Sequence, residues 1–317
     1  MTSPDATTNA MIKLAARIAD EVFFPAAGVI DRADRVPASH FDLLASEGFY
    51  AMAAPTSIGG LGTENYPAWT TIVETLASGC LATTFVWIQH IGPMLATGAP
   101  SLATGEQRAG IAYAGLAPGS DLVLRDGRLS GHIPWVTGWD MIDVVQVAVR
   151  DGDLVRYFLL DAVAGPTLHA SVQDLVAVRA SRTASLVFDE HPAPAGRLVK
   201  TEDHAAWAEQ NASGAALNGY LALGLVRRAS LLLGGAFDDE LARCRLLLGD
   251  LRQTPRARAE ASALAWRAAG AVMVQAGSSG VRSAETAARL VREAAFLLVF
   301  GSRPAIKTEL NRLLGPF

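Results

Sequence analysis

The chain has 317 residues, 50% of them hydrophobic and 18% charged, with 27 basic against 31 acidic side chains. That length suggests one to three packed units around a substantial core, and a net charge of −4 leaves no electrostatic footprint for nucleic acid. The two cysteines, Cys80 and Cys244, stand far apart in apolar surroundings without a CxxC, which excludes a disulfide framework and a thiolate zinc site.

From about Asn9 to Arg32, apolar residues recur at helical spacing (Met11, Leu14, Ala15, Ile18, Val22), and Pro25 is expected to kink or divide the helix. A short helix over Pro37–Glu47 should end at Gly48, a good C-cap residue. Pro55 and Gly59-Gly60 make 49–62 a loop. Helices are predicted over Tyr66–Gly79, Thr83–Thr97 and Thr104–Ala112.

The texture then changes. Leu122–Leu124, Leu129–His132, Asp143–Arg150, Val155–Leu160 and Ser185–Asp189 are short alternating or β-branched runs, and they read as an antiparallel β domain. Asp126-Gly127 and Asp151-Gly152 supply hairpin turns. Helical periodicity returns over His204–Gly234, Asp238–Leu251, Arg256–Gln275, Ser283–Phe300 and Ala305–Leu314. The order implies a mainly α fold with a central antiparallel β domain: a helical block 1–112, a β block 113–200 and a helical bundle 201–317. No basic region precedes an apolar core at the N-terminus, and runs such as Leu221–Ala236 are broken by Gly224, Arg227 and Arg228. They fall short of the roughly 20 apolar residues of a membrane span, so a cytoplasmic chain with no membrane partner is expected.

Motif searches remove several chemistries. The six histidines show no metal spacing, no G-x-S-x-G elbow is present, and Gly59-Gly60-Leu61-Gly62 lacks the strand before and the lysine after that a phosphate loop needs.

In this three-block order the chain resembles the acyl-CoA dehydrogenase superfamily over nearly its whole length. Pro55-Thr-Ser-Ile-Gly-Gly-Leu-Gly62 is similar to the family's P-x-x-x-G-G-x-G loop. Gly119-Ser120-Asp121 resembles the end of T-E-P-x-A-G-S-D, with Ala114, Gly115 and Leu116 where Thr, Glu and Pro are usual. Gly127-Arg-Leu-Ser-Gly131 followed by Trp135-Val-Thr-Gly138 resembles the G-x-x-x-x-G…W-I-T-N element. Gln275-Ala-Gly-Ser-Ser-Gly280 resembles a shortened Q-x-x-G-G-x-G turn, and Arg289-Leu-Val-Arg-Glu-Ala294 resembles R-x-x-R-D-A.

The resemblance implies FAD held by Ser120, Trp135, Thr137, Gln275 and Arg303, and an acyl-CoA-like substrate touching Ser120 and His90. An indole covers a ring face while a small hydroxyl bonds a ring nitrogen, and a guanidinium grips a phosphate bidentately. A surface arginine capping its helix is the alternative for Arg303, and a satisfied core histidine is the default for His90.

The family's proton-abstracting glutamate has no counterpart. Gapless counting from Arg292-Glu293 places its Y-E-G-T motif on Phe300, Gly301, Ser302 and Arg303. Sliding by one residue puts Phe300 at the base position. The position used by other branches falls on Gly214, with Ala215 beside it. Glu209 and Glu293 are the nearest acids, one to two turns away, or about 5–11 Å. Asp238 and Asp239 after Phe237 would repel the diphosphate usually bound there.

Three functions follow from the resemblance. The first is a flavin-dependent oxidoreductase oxidising the CH–CH bond of an acyl-CoA or related thioester, alone or with a partner that completes the site. The second is a non-catalytic subunit of a hetero-oligomer, and the third a flavin monooxygenase of the same fold. The apolar bundle, Leu221–Leu233 included, implies a homodimer, homotetramer or hetero-oligomer.

Overall fold

The computed structural model describes residues 6–214, 216–301 and 303–315, with backbone only at 212–214. The N-terminal helices are α1 (Ala6–Arg17), α2 (Phe24–Ile30), α3 (Ala38–Ser46), α4 (Tyr66–Gly79), α5 (Leu81–Trp87), α6 (Ile91–Thr97) and the one-turn α7 (Pro100–Ala103). A π-helical turn, Ile18–Phe23, joins α1 to α2. Pro25 therefore does not break the helix. The wider turn ahead of it absorbs the missing N–H and the clash with the preceding carbonyl. Arg228 braces this turn, pairing with Asp20 at 2.5 Å, donating to the Ser78 carbonyl at 2.7 Å and lying 4.0 Å from the Phe24 ring centroid.

Among the described residues eight strands follow: β1 (Ala109–Ala112), β2 (Val123–Arg125), β3 (Arg128–Val136), β4 (Val144–Asp151), β5 (Leu154–Asp161), β6 (Leu168–Val172), β7 (Ala184–Pro192) and β8 (Leu198–Asp203). They form two four-stranded sheets, β1-β4-β5-β8 and β2-β3-β7-β6. Val145, Val147 and Val149 of β4 face Leu129, Ile133 and Leu186 of the other sheet in one apolar cluster. The expected Asp126-Gly127 turn has φ of 49° and 70°, the left-handed pair of a tight hairpin.

One prediction is corrected here. Thr104–Ala112 is not a helix, because Ala109–Ala112 pairs with Val144–Val147 as the sheet's parallel edge. Neighbouring strand pairing outweighs the weak local preference of Ala-Gly-Ile-Ala.

The chain then returns to helices α8 (His204–Gly214), α9 (Ala216–Leu232), α10 (Asp238–Gly249), α11 (Thr254–Ala276), α12 (Thr286–Val299) and α13 (Pro304–Leu314). First and last helices share one core. Ile72, Val73 and Leu76 of α4 lie in the same cluster as Leu221, Leu225 and Val226 of α9 and Ala261, Ala265 and Leu290 beyond them, each large side chain contributing roughly 1.5–3 kcal/mol by burial. Gly224 permits the approach, since a Cβ there would stand 2.6 Å from the Glu74 carbonyl oxygen. Glu74, buried in α4, is held by Arg245 of α10 through two hydrogen bonds of 2.9 and 2.5 Å. Among the described residues no helix is long and apolar enough to cross a membrane.

Candidate functional site

β3 carries the first cluster of interest. Its register against β7 shifts between Ile133 and Val136, where Pro134 interrupts the ladder and its carbonyl accepts from Gln173 Nε2 at 3.0 Å. A bulge re-aims side chains, and here it leaves Trp135 53% exposed while Val136 and Thr137 turn inward. Thr137 Oγ1 lies 3.1 Å from Thr183 Oγ1, which lies 2.9 Å from Ser181 Oγ. This buried chain of three hydroxyls is held by Gly138 N–H donating to the Ser181 carbonyl at 2.9 Å and Trp139 N–H to that of Arg182 at 3.1 Å. Asp140, Val178 and Arg182 take positive φ of 63°, 50° and 45° around it, and Arg182 pairs with Asp34 and Asp140 at 2.6 and 2.5 Å. Left-handed non-glycine residues concentrate where tertiary contacts over-determine the backbone.

The Ser120 loop reaches the same strand. Asp121 Oδ1 accepts from the His132 N–H at 3.0 Å, and the loop passes so close to Gly131 that a Cβ there would stand 2.5 Å from the Asp121 carbonyl. Ser120 itself is exposed, its Oγ accepting from Leu122 N–H at 3.2 Å. Ser120, Trp135 and Thr137 are thus tied to one strand and its continuation.

The other predicted residues lie apart from this cluster. Gln275 is exposed at the C-terminal turn of α11, a helix packed on α9, α12 and α13. Arg303 is not a free surface cap. It donates to the backbone carbonyl of Asn211 and, at 2.7 Å, to Asn211 Oδ1, and burial lowers its pKa.

His90 is a core residue. It is buried, its Nε2 lies 2.9 Å from the Leu102 carbonyl, and its Nδ1 accepts from Ala109 N–H at 3.0 Å. Burial pushes its pKa down to about 4, so the ring is a neutral tie between α7 and β1.

No side chain occupies position 301. Gly301 has φ 57°, and a Cβ there would point at Asn218 Nδ2 (3.0 Å) and the Arg258 guanidinium (3.8 and 3.9 Å). Arg258 is 2% exposed and donates to the Phe300 carbonyl at 3.0 Å, and burial lowers its pKa to about 10. Phe300 packs its ring 5.3 Å from Phe296 and 4.7 Å from Phe85. Of the nearby acids, Glu209 is exposed on α8, whereas Glu293 is buried against Arg289 at 3.0 and 3.1 Å. Burial raises the Glu293 pKa and Arg289 opposes that rise. Gly214 ends α8, and Ala215 and Ser302 lie outside the described residues.

Sequence reasoning missed a second feature, a cleft of about 430 Å³ between α6, the outer face of the β1-β4-β5-β8 sheet and α8. Its floor is Gln146 of β4, whose Oε1 accepts from Tyr113 Oη. Its side wall is Tyr157, which donates to Glu202 Oε1 at 2.6 Å, while Lys200 Nζ lies 2.9 Å from Glu202 Oε2 and 5.1 Å from the Tyr157 ring centroid. Asn211, the partner of Arg303, borders it.

Residues 5–109 match the model of the acyl-CoA dehydrogenase N-terminal domain. The whole chain superposes on butyryl-CoA dehydrogenase from Megasphaera elsdenii with a TM-score of 0.81 at 16% identity, covering 99% of this chain and 100% of that one. The short-chain specific acyl-CoA dehydrogenase of Bos taurus, a mitochondrial protein, is 26% identical over 219 residues. The N-terminal third thus matches the acyl-CoA dehydrogenase N-terminal domain, and the chain has the fold of the acyl-CoA dehydrogenase structures. The bovine match takes in 61% of this chain but 53% of the relative, so the chain matches about half the length of that relative. The FAD complex of PigA shares the superfamily fold, with a TM-score of 0.80 at 17% identity over 99% of both chains.

Proposed function

We propose that this chain is a flavin-dependent oxidoreductase of acyl-CoA dehydrogenase type, built as blocks 1–112, 113–200 and 201–317, with FAD lodged against the end of β3. Trp135 carries the reading. A 53% exposed indole on a bulged strand forgoes roughly 1–2 kcal/mol of apolar burial, and a planar ring laid on it recovers that loss. Thr137 stands two residues on with its hydroxyl oriented by Thr183 and Ser181. Ser120, at the loop tied to the same strand, offers a hydroxyl to ring or substrate. FAD, when bound, supplies the hydride acceptor for CH–CH oxidation of an acyl-CoA-like thioester. Gln275, exposed at the far end of α11, fits a contact with the flavin of a second copy, and Arg303 steadies Asn211 rather than a diphosphate. The named activities of the bovine and Megasphaera relatives and the FAD held by PigA support this reading.

A second reading, a subunit whose related partner carries the base, is favoured by Gly301. That position offers no proton acceptor, and a base must come within roughly 3 Å of its proton. Adding FAD to the purified chain, recording its visible spectrum and then adding butyryl-CoA without oxygen separates the two. Flavin that binds and bleaches supports the first reading. Flavin that binds but bleaches only with a related subunit present supports the second. A chain that stays colourless overturns both.

A further inference from the structure

The turn at Gly301, between α12 and α13, is surrounded by nitrogen. Asn218 Nδ2 of α9 and both terminal nitrogens of Arg258 of α11 are the atoms that a side chain there would meet first, at 3.0, 3.8 and 3.9 Å from its Cβ. Arg303, which opens α13, brings a second guanidinium close enough to act on the first.

Arginine is seldom buried without a matching charge. The hydrogen-bond acceptors described for this pair are neutral: the Phe300 carbonyl for Arg258, and the backbone and amide oxygens of Asn211 for Arg303. Burial and the Arg303 charge lower the pKa of Arg258 to about 10, and burial lowers that of Arg303, with no carboxylate among the described residues offsetting either fall. Holding the Phe300 carbonyl needs one donor, and a second cation within Coulombic range adds only repulsion to that task.

The chain also makes room for the guanidinium. A Cβ at Gly219 would stand 3.0 Å from Arg258 Cδ, so the glycine lets the arginine stem pass α9. Gly301 is exposed, at φ 57°, and leaves the donor face uncovered. No hydrogen bond among the described residues holds the half-buried Asn218 amide. One amide donor, one buried cation and a second cation behind them form a site for a negative group, and a guanidinium edge matches the two oxygens of a planar carboxylate.

We propose that the Gly301 turn binds the carboxylate of a small organic acid, with Asn218 Nδ2 donating to it, the Arg258 guanidinium pairing with it and Arg303 adding charge. At the position where the resemblance leads one to look for a proton acceptor, this chain supplies donors. The site goes beyond the flavin reading and needs no flavin to form.

Saturation-transfer NMR of sodium propionate with the full chain, at constant ionic strength and without FAD, tests it. Propionamide offers the same shape without the charge, and inorganic phosphate offers a different oxyanion. We expect propionate to saturate one site, at least tenfold more tightly than propionamide, and to stay bound against equimolar phosphate. Gly301→Glu supplies a carboxylate of its own and should weaken propionate at least tenfold. Asn218→Leu should weaken it at least threefold while melting like the wild type, so a folding defect in Gly301→Glu does not decide the result. Propionate that binds to a chain unable to bind FAD counts against the flavin reading alone. Equal affinity for propionamide, no saturable propionate signal, displacement by equimolar phosphate, or wild-type affinity in Asn218→Leu overturns the carboxylate site.

Discussion

Replacing Gly301 by alanine and by glutamate separates backbone from charge at the position where the superfamily resemblance leads one to look for a base. The glycine has φ 57°, and an L-residue held in the left-handed region costs roughly 1–2 kcal/mol. The new Cβ would also stand 3.0 Å from Asn218 Nδ2, which requires a small shift of that amide. Gly301→Ala should therefore lose about 1–2 kcal/mol, at about 2–4 °C of melting temperature per kcal/mol in domains approaching this size. In Gly301→Glu the carboxylate reaches Arg258, whose guanidinium nitrogens lie 3.8 and 3.9 Å from the Cβ position. A pair at 4 Å is worth on the order of 4 kcal/mol at an effective dielectric of 20. The exposed side of the turn reduces that to about 1 kcal/mol. The glutamate should thus recover part of the alanine variant's loss at pH 7. A carboxylate whose folded pKa is depressed stabilises above its unfolded pKa, about 4.3, and that contribution disappears as pH falls through the lower folded value. Urea denaturation of wild type and both variants at pH 7 and pH 3.5 is the assay. Alanine as stable as glycine, or a glutamate–alanine difference unchanged at low pH, would refute the reasoning. The pairing also predicts that Gly301→Glu is a weak base, so added FAD should not be bleached by butyryl-CoA faster than in the wild type.

Thr137→Val removes one member of the hydroxyl chain with Thr183 and Ser181; about 1–2 kcal/mol of stability and about tenfold in FAD affinity should be lost, read by melting and by fluorescence titration. His90 has its pKa lowered from 6.5 to about 4 by burial, so its neutral form stabilises the fold fully above pH 6.5, and the stabilisation is lost as pH falls toward 4. A His90→Gln variant should therefore show a smaller decline of stability between pH 6.5 and 4.5 than the wild type, and an equal decline would count against the assignment. Glu293→Ala strands Arg289 in the core and should cost roughly 3–5 kcal/mol, whereas a catalytic glutamate would lose turnover with stability intact.

Much of the helical frame was legible because its signals are local. Tyr66–Gly79 forms over the span its periodicity gives, Gly48 caps α3 with φ 77°, and Asp126-Gly127 turns its hairpin. The errors lie where partners decide. Ala109–Ala112 is a strand only because Val144–Val147 lies beside it, and β6 and β8 carry too little alternation to announce themselves. Trp135 and Thr137 could be singled out from the sequence, but Thr183 meets Thr137 across 46 residues. Gln146 did leave a signal, a lone amide inside an apolar strand, and it was hidden by the hydrophobic run around it.

Equilibrium titration of FAD into the wild-type chain and Trp135→Ala, followed by quenching of flavin fluorescence, tests the central claim most directly. Saturable quenching by the wild type, with at least tenfold weaker binding by Trp135→Ala and an unchanged melting temperature, is the result predicted from an indole that is already half in water. No quenching by the wild type, or equal affinity in the variant, would contradict a flavin seated on β3.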